Sequence, residues 1–239
     1  MRIAIMSDIH SNLPALEAVL QRIETLGADA LHCLGDIVGY GPFPEECIGL
    51  VGARCDVVVR GNHDSGLLGE TSVEDFNSMG RLALEWTRDR VSAASLTYLR
   101  GLPLVCRREE VTFVHSSPAS PERWPYVFSL TDAEEAFRAF TTRLCFVGHT
   151  HVPVVVGEDL SVNSFGPPGR TEDRARFLVN VGSVGQPRDG DPRAAFGLLD
   201  IEAWTYETVR VEYDIPKTQA AIRKAGLPAP LARRLSRGV

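Results

Sequence analysis

No stretch of this 239-residue chain is apolar for long enough to cross a bilayer. The segment MRIAIMSDIH has neither the long apolar stretch nor the cleavage site of a signal peptide. Both absences predict a soluble, cytoplasmic protein without a membrane partner. Paired cysteines are missing too. Cys33, Cys47, Cys55, Cys106 and Cys145 form no C-x-x-C pair, and Cys33 and Cys145 sit inside apolar, strand-like runs. Buried thiols in a reducing compartment are expected rather than a disulfide framework. An excess of positive charge is also lacking: the net charge of −6 argues against a general nucleic-acid binder. That charge is unevenly spread. From Asp214 to Val239 six basic residues face one acid, a net +5, which leaves −11 on the remainder.

A hydrophobic content of 44% and a charged content of 23% are ordinary globular values. With no internal repeat, low-complexity tract or linker, the chain reads as one domain over residues 1–239. A core at 1–152 carries the polar motifs, a strand-rich second half follows over 152–213, and a basic helical tail runs over 214–239.

RIAIMS (2–7) has the pattern of a buried strand. In SNLPALEAVLQRIETLGA, Leu16, Val19, Leu20, Ile23 and Leu26 keep helical spacing, with Ser11 or Asn12 as cap, Pro14 in the first turn and Gly27 as terminator. DALHCLG and CDVVVRG are further strands, with a short helix from PEECIGL between them. This β-α-β-α-β order predicts a parallel sheet with right-handed crossovers. Residues 72–100 form a longer helical region, LPLVCRREEVTFVH (102–115) a hairpin, and TDAEEAFRAF a helix before the strand LCFV. Beyond residue 152, VPVVVG, LSVNSF, ARFLVNVG, AAFGLLDIE and TYETVRVEY read as strands, and GPPGRTEDR (166–174) as an exposed hairpin tip. The tail holds one or two short basic helices, with Leu227, Leu231 and Leu235 on one face to dock on the acidic body.

Histidine is scarce at six residues, yet two stand one apart in GHTHV (148–152). If the strand continues through the glycine, His149 and His151 share a face. Taken alone the pair fits surface decoration, a hydrogen-bonded core pair or metal ligands equally. The rest of the chain decides. Five apolar runs end in polar residues: Asp8 and His10; Asp36; Asn62, His63 and Asp64; His115; and His149 with His151. The carboxyl ends of strands form the ligand crevice of an open α/β sheet. Only His32 falls inside a strand, as a core or surface residue. Five buried imidazoles with several carboxylates are costly without a cation. Asp8, His10, Asp36, Asn62, His115, His149 and His151 suffice for two divalent ions if one carboxylate bridges. Gly148 would let the backbone bend close to them.

In order, SDIH (7–10), GDIVGYG (35–41), GNHD (61–64), VH (114–115) and GHTH (148–151) resemble the motif blocks of the calcineurin-like metallophosphoesterases. NVGSVGQPRDGDPRA (180–194) is similar to a late turn of their small bacterial, phosphodiesterase-type members. The resemblance implies a four-layer α/β/β/α sandwich of two mixed sheets. It places Asp8, His10, Asp36 and His151 on one metal, and Asn62, His115, His149 and the shared Asp36 on a second. Catalytic His63 would face substrate, oriented by Asp64, and a hydroxide bridging the metals would attack phosphorus.

The shell is nitrogen and oxygen only, which suits manganese, iron, zinc, cobalt or nickel. Manganese is the resemblance's choice. The expected activity is hydrolysis of a small phosphate ester, favoured as a diester and potentially a nucleotide, with Asn62 and Arg188 binding substrate. Arg188 is equally readable as a solvated turn residue, and Trp124 and Tyr126 as loop packing or as a stacking surface. Serine/threonine protein phosphatases and diadenosine tetraphosphate hydrolases are the alternatives, but they carry aspartate and arginine where Gly39 and Tyr40 stand. A non-catalytic scaffold on the same fold, like the retromer subunit, is the alternative of another class. Loss of the histidine of GNH marks that path, and His63 is present here.

Overall fold

The computed structural model describes residues 1–163 and 175–239. Segment 166–174, expected as a hairpin tip, lies outside these residues, as does the end of LSVNSF. The described part of LSVNSF makes only an isolated bridge, Val162 to Val156.

Side-chain alternation builds the layers. In β1 (Arg2–Met6), Ile3 and Ile5 point into an apolar layer with Phe113, Leu144, Phe146 and Val179. Ala4 and Met6 point the other way, onto Leu16, Val19 and Ile23 of α1 (Leu13–Leu26). β1 pairs in parallel with β2 (Ala30–Cys33), which pairs in parallel with β3 (Val57–Val58). α2 (Pro44–Arg54) makes the crossover between β2 and β3. This is the β-α-β-α-β start expected. On its other edge β1 takes β9 (Ala194–Asp200) antiparallel, and β9 takes β10 (Thr205–Val211).

The second sheet runs β4 (Val105–Arg108), β5 (Val111–Val114), β6 (Leu144–Val147), β8 (Phe177–Asn180), β7 (Val154–Gly157). Its outward residues Val114, Cys145, Val147 and Leu178 pack on Ala133, Ala136 and Phe137 of α6 (Leu130–Ala139). Two five-stranded mixed sheets therefore lie face to face with helices outside both, the α/β/β/α sandwich expected. Strands buried on both faces explain why RIAIM and LCFV are unbroken apolar runs.

Of the two cap candidates, Asn12 holds α1, its side chain accepting from the Ala15 amide, and Gly27 ends the helix as expected at φ +65°. Two local expectations need correction. The helical region 72–100 divides into α4 (Ser78–Arg88) and α5 (Ala93–Gly101), because the Ser92 hydroxyl accepts from the Ser95 amide and restarts the helix. The GNHD block, read as a polar strand end, opens a helix, α3 (Asn62–Leu68). Its seven residues, one of them Gly66, are too few for a helical period to show.

The tail forms α7 (Ile215–Lys224) and α8 (Ala229–Leu235) and docks as expected. Ile222, Leu227, Leu231 and Leu235 pack with Tyr40 and Ala83, although Leu227 precedes α8 rather than sharing its face. Among the described residues no helix is long and apolar enough to cross a membrane.

Candidate metal centre

Each of the five strand ends delivers a polar side chain to one crevice. Asp8 and His10 follow β1, Asp36 follows β2, Asn62 opens α3 after β3, His115 follows β5, and His149 and His151 follow β6. Five of these seven residues (Asp8, His10, Asp36, His149, His151) hold φ between +49° and +66°. Such left-handed backbone costs about 1 kcal/mol or more per non-glycine residue and persists only where the surroundings enforce it. Here loop-to-loop hydrogen bonds enforce it. The amides of Asp8 and His10 donate to Gly35 O and Asp36 O at 3.1 and 2.9 Å, and Gly185 N donates to Asp8 O at 2.9 Å. Gly148 matters by closeness rather than bend: a Cβ there would strike Ser7 Oγ and the Asp8 carboxylate.

The two carboxylates divide their oxygens alike. Asp8 Oδ2 accepts the His149 amide at 3.0 Å, and Asp36 Oδ1 accepts the His63 amide at 2.8 Å. Asp8 Oδ1 is buried with no hydrogen-bond partner. Asp36 Oδ2 lies 3.6 Å from His10 Nε2 and 3.4 Å from His115 Nε2.

The imidazoles point to the same need. His10, His115 and His151 each set Nδ1 against a backbone carbonyl, those of Val38 (3.0 Å), Leu34 (2.9 Å) and Gln186 (2.6 Å). His149 sets Nε2 on Trp124 O at 3.1 Å. A carbonyl can only accept, so each of these nitrogens carries the proton and the other presents a bare lone pair. The lone pairs meet in twos: His10 Nε2 and His151 Nε2 at 3.2 Å, and His115 Nε2 and His149 Nδ1 at 3.2 Å, with Asn62 Oδ1 3.1 Å from His115 Nε2. Acceptor facing acceptor in a dry site is repulsive unless a cation lies between. Asp8, His10 and His151 form one group able to hold an ion, and Asp36, His115 and His149 another. The donor set fits divalent metal ions.

Charge tells the same story. Burial opposes ionisation of Asp8 and Asp36, yet the histidines around them hold both carboxyls below the ordinary range. Burial likewise opposes a charge on His115, but Asp36, with Asp8 and Asp64, raises that imidazole, so that without a metal ion a proton takes the place on Nε2 that a cation would fill. Its neighbour His149 is lowered to about 3, by burial first and then by His115. The crevice is built to attract positive charge.

His63 is buried beside this cluster, its ring 4.8 Å from that of His10 and 4.6 Å from that of Tyr40. Burial, and then Arg188, lower it to about 4 against the pull of Asp36. Asp64 was expected to orient His63. Its oxygens are instead taken by the amides of Ile37, Val38 and Gly61, at 3.0, 3.2 and 3.0 Å, while His63 Nδ1 is buried without a partner. Asp64 therefore fixes the loop that carries Asp36 and the first turn of α3. Gly39, at φ +92°, leaves room that the His63 ring fills, since a Cβ there would meet His63 Nδ1.

Arg188 reaches the crevice rather than only solvent. Its guanidinium carbon lies 5.9 Å from the Tyr40 ring centre, its Nη2 donates to Gln186 Oε1 at 3.1 Å, and its Nε is buried without a partner. Trp124 packs its loop, with Nε1 donating to Thr71 Oγ1 at 3.0 Å. Tyr126 stacks on His149 at 3.9 Å between ring centres, and Phe128 stacks on Tyr126 at 4.8 Å, a ladder leading out to an exposed Phe128.

Sequence reasoning missed the supports. Asn180 donates to Gly148 O (2.6 Å) and Thr150 Oγ1 (2.9 Å), fixing the GHTH loop. Ser183 Oγ donates to Asp8 O at 2.8 Å. Their signal was the polar break after FLVN. The carbonyls of Leu34, Val38 and Gln186 leave no signal, because every residue has one.

Comparison with known proteins agrees with this geometry. A family model for the calcineurin-like phosphoesterase superfamily domain matches residues 1–203. The chain is 41% identical to an uncharacterized protein of Methanocaldococcus jannaschii over 240 residues, covering 99% of this chain and 98% of the relative. It is 26% identical to the phosphodiesterase YfcE of Escherichia coli over 212 residues, covering 84% and 88%. Among solved structures, a metallophosphoesterase from Sphaerobacter thermophilus superposes with a TM-score of 0.87 at 43% identity, covering 100% of this chain and 99% of the other.

Proposed function

The chain belongs to the calcineurin-like phosphoesterase superfamily, and we propose that it is a dinuclear metal-dependent phosphodiesterase acting on small phosphate esters. The observation that carries this reading is the pairing of bare imidazole nitrogens, His10 with His151 and His115 with His149, on either side of Asp36 Oδ2. In it, Asp8, His10, Asp36 and His151 hold one divalent ion; Asn62, His115, His149 and the shared Asp36 hold the other. Manganese is the choice within the iron, zinc, cobalt and nickel group. Such ions supply Lewis-acid charge to the phosphoryl oxygens and water acidic enough to attack phosphorus near neutral pH.

The chain's own residues do the rest. Arg188, with an unpartnered Nε, binds a non-bridging oxygen of the ester, and half-buried Asn62 faces the same oxygens. His63, a neutral imidazole at pH 7, donates an N–H to charge building on the leaving oxygen. The carbonyls of Val38, Leu34, Gln186 and Trp124 keep the other imidazoles aimed inward. The aromatic ladder from His149 through Tyr126 to Phe128 suits a leaving group with a planar ring, a nucleoside among them. The diester preference draws on the likeness to the phosphodiesterase YfcE of Escherichia coli. All five cysteines are free, which suits a reducing, cytoplasmic setting.

The test is hydrolysis of p-nitrophenyl phosphate and bis-p-nitrophenyl phosphate by metal-stripped protein given Mn²⁺, Mg²⁺, Zn²⁺ or Ni²⁺. Metal-dependent turnover, faster on the diester, is expected. Turnover of the monoester alone would replace diesterase by monoesterase, and failure to bind two ions would end the dinuclear reading.

A further inference from the structure

A second concavity, of about 320 Å³, opens beside the crevice between α4 and α8, lined by Met79, Pro230, Arg233, Arg234, Arg237 and Val239. It adjoins the candidate centre at two points. Met79 precedes Gly80, where a Cβ would stand 3.6 Å from His63 Cε1 and 3.5 Å from the Tyr40 hydroxyl. Arg234, half-buried, lies close enough to Arg188 for the two charges to disfavour each other. Arg234 Nε donates to the main-chain oxygen of Val239 at 2.5 Å, and no aspartate or glutamate pairs with Arg188, Arg233, Arg234 or Arg237 among the described residues.

Basic residues at a helix C-terminus are favoured by the helix dipole, which accounts for their sequence position. It does not account for a concave wall of three guanidiniums continued by a fourth. Gathering like charges on one wall costs stability, and an anion between them reverses that cost. Arg234 has the main-chain oxygen of Val239, and no aspartate or glutamate among the described residues pairs with Arg233 or Arg237, so an anion between these two would come from a ligand.

We propose that this concavity is a second anion site, and that the substrate is a phosphodiester bearing a further phosphate group that α8 receives while the scissile phosphorus lies at Arg188 and His63. The inference rests on the phosphodiesterase reading, and it assigns the basic tail a part in choosing substrate.

The test compares two diesters with the same leaving group: thymidine 5′-(p-nitrophenyl phosphate) and the same compound with a 3′-phosphate. Arg233 and Arg237 are exposed, so Arg233→Gln/Arg237→Gln leaves the packing of α8 in place. The wild type is expected to show the lower KM on the 3′-phosphorylated diester. The double variant should lose that advantage by about tenfold or more, the scale for removing charge-assisted contacts. An equal effect on both diesters would reduce the arginines to general charge attraction and overturn the proposal, as would no effect on either.

Turnover of neither diester by the wild type would sink the phosphodiesterase reading instead. The second site is then decided by equilibrium binding of thymidine 3′,5′-bisphosphate against thymidine 5′-phosphate to the metal-loaded protein. Tighter binding of the bisphosphate that disappears in the double variant supports the site, and equal binding of the two overturns it.

Discussion

Nε2 of His10 and Nε2 of His151 stand 3.2 Å apart across 141 residues of sequence, each with its Nδ1 against a carbonyl. A bound cation converts that repulsion into coordination, so chelation should lower the thermal midpoint reversibly. At metal concentrations a thousandfold above Kd the loss is about 4 kcal/mol per site. Elemental analysis is expected to find two ions per chain in the wild type and one in His151→Ala. Unchanged stoichiometry would remove His151 from the ligand set.

His63→Ala should lower kcat by roughly 10²–10⁴, the range for a proton-transfer group, with metal content unchanged. Because p-nitrophenolate leaves without help, the loss should be larger for an alkyl leaving group. Equal losses on both would assign His63 to phosphate binding.

His32 lies in the layer between the sheets, edge-on to Phe113 at 4.7 Å, with Nδ1 buried and unpartnered. Burial lowers it to about 4, with Asp56 opposing. The unfolded chain takes up this proton near pH 6.5 and the folded chain only near 4. Stability is therefore complete above pH 6.5, falls between 6.5 and 4, and is level below. Denaturant melts of wild type and His32→Leu should diverge by on the order of 2 kcal/mol between pH 7.5 and 4. Parallel curves would show that His32 is not the group responsible.

Leu231 is fully buried between the tail and Tyr40. Leu231→Ala should cost about 2–5 kcal/mol by chemical denaturation. Tyr40 also touches the rings of His10 and His63, so kcat should fall as well. Lost stability with unaltered kinetics would make the tail a passive prop.

The layers were legible in the sequence because strands buried on both faces leave unbroken apolar runs, as in RIAIM and LCFV. The residues that meet in the candidate centre were legible because each follows such a run. α3 was not, since Asn62–Leu68 is too short for a period to show. The split at Ser92 turns on a single hydroxyl that the helical pattern around it outweighs. The role of Asp64 was misjudged because its partners are backbone amides, which no side-chain pattern announces. The aromatic ladder and the α8 arginines were visible as residues, but their positions depend on how the tail and the 116–128 loop pack.

The contact of Ser183 with Asp8 has a bearing on how the chain is made. It joins residues 175 apart, and β1 takes β9, starting at Ala194, as its edge partner. During synthesis β1 has its parallel neighbour β2 early, whereas the strand on its other edge, β9, and the Ser183 that holds the Asp8 loop come much later. Closure of the crevice therefore waits until the turn at 183–186 and β9 have been made.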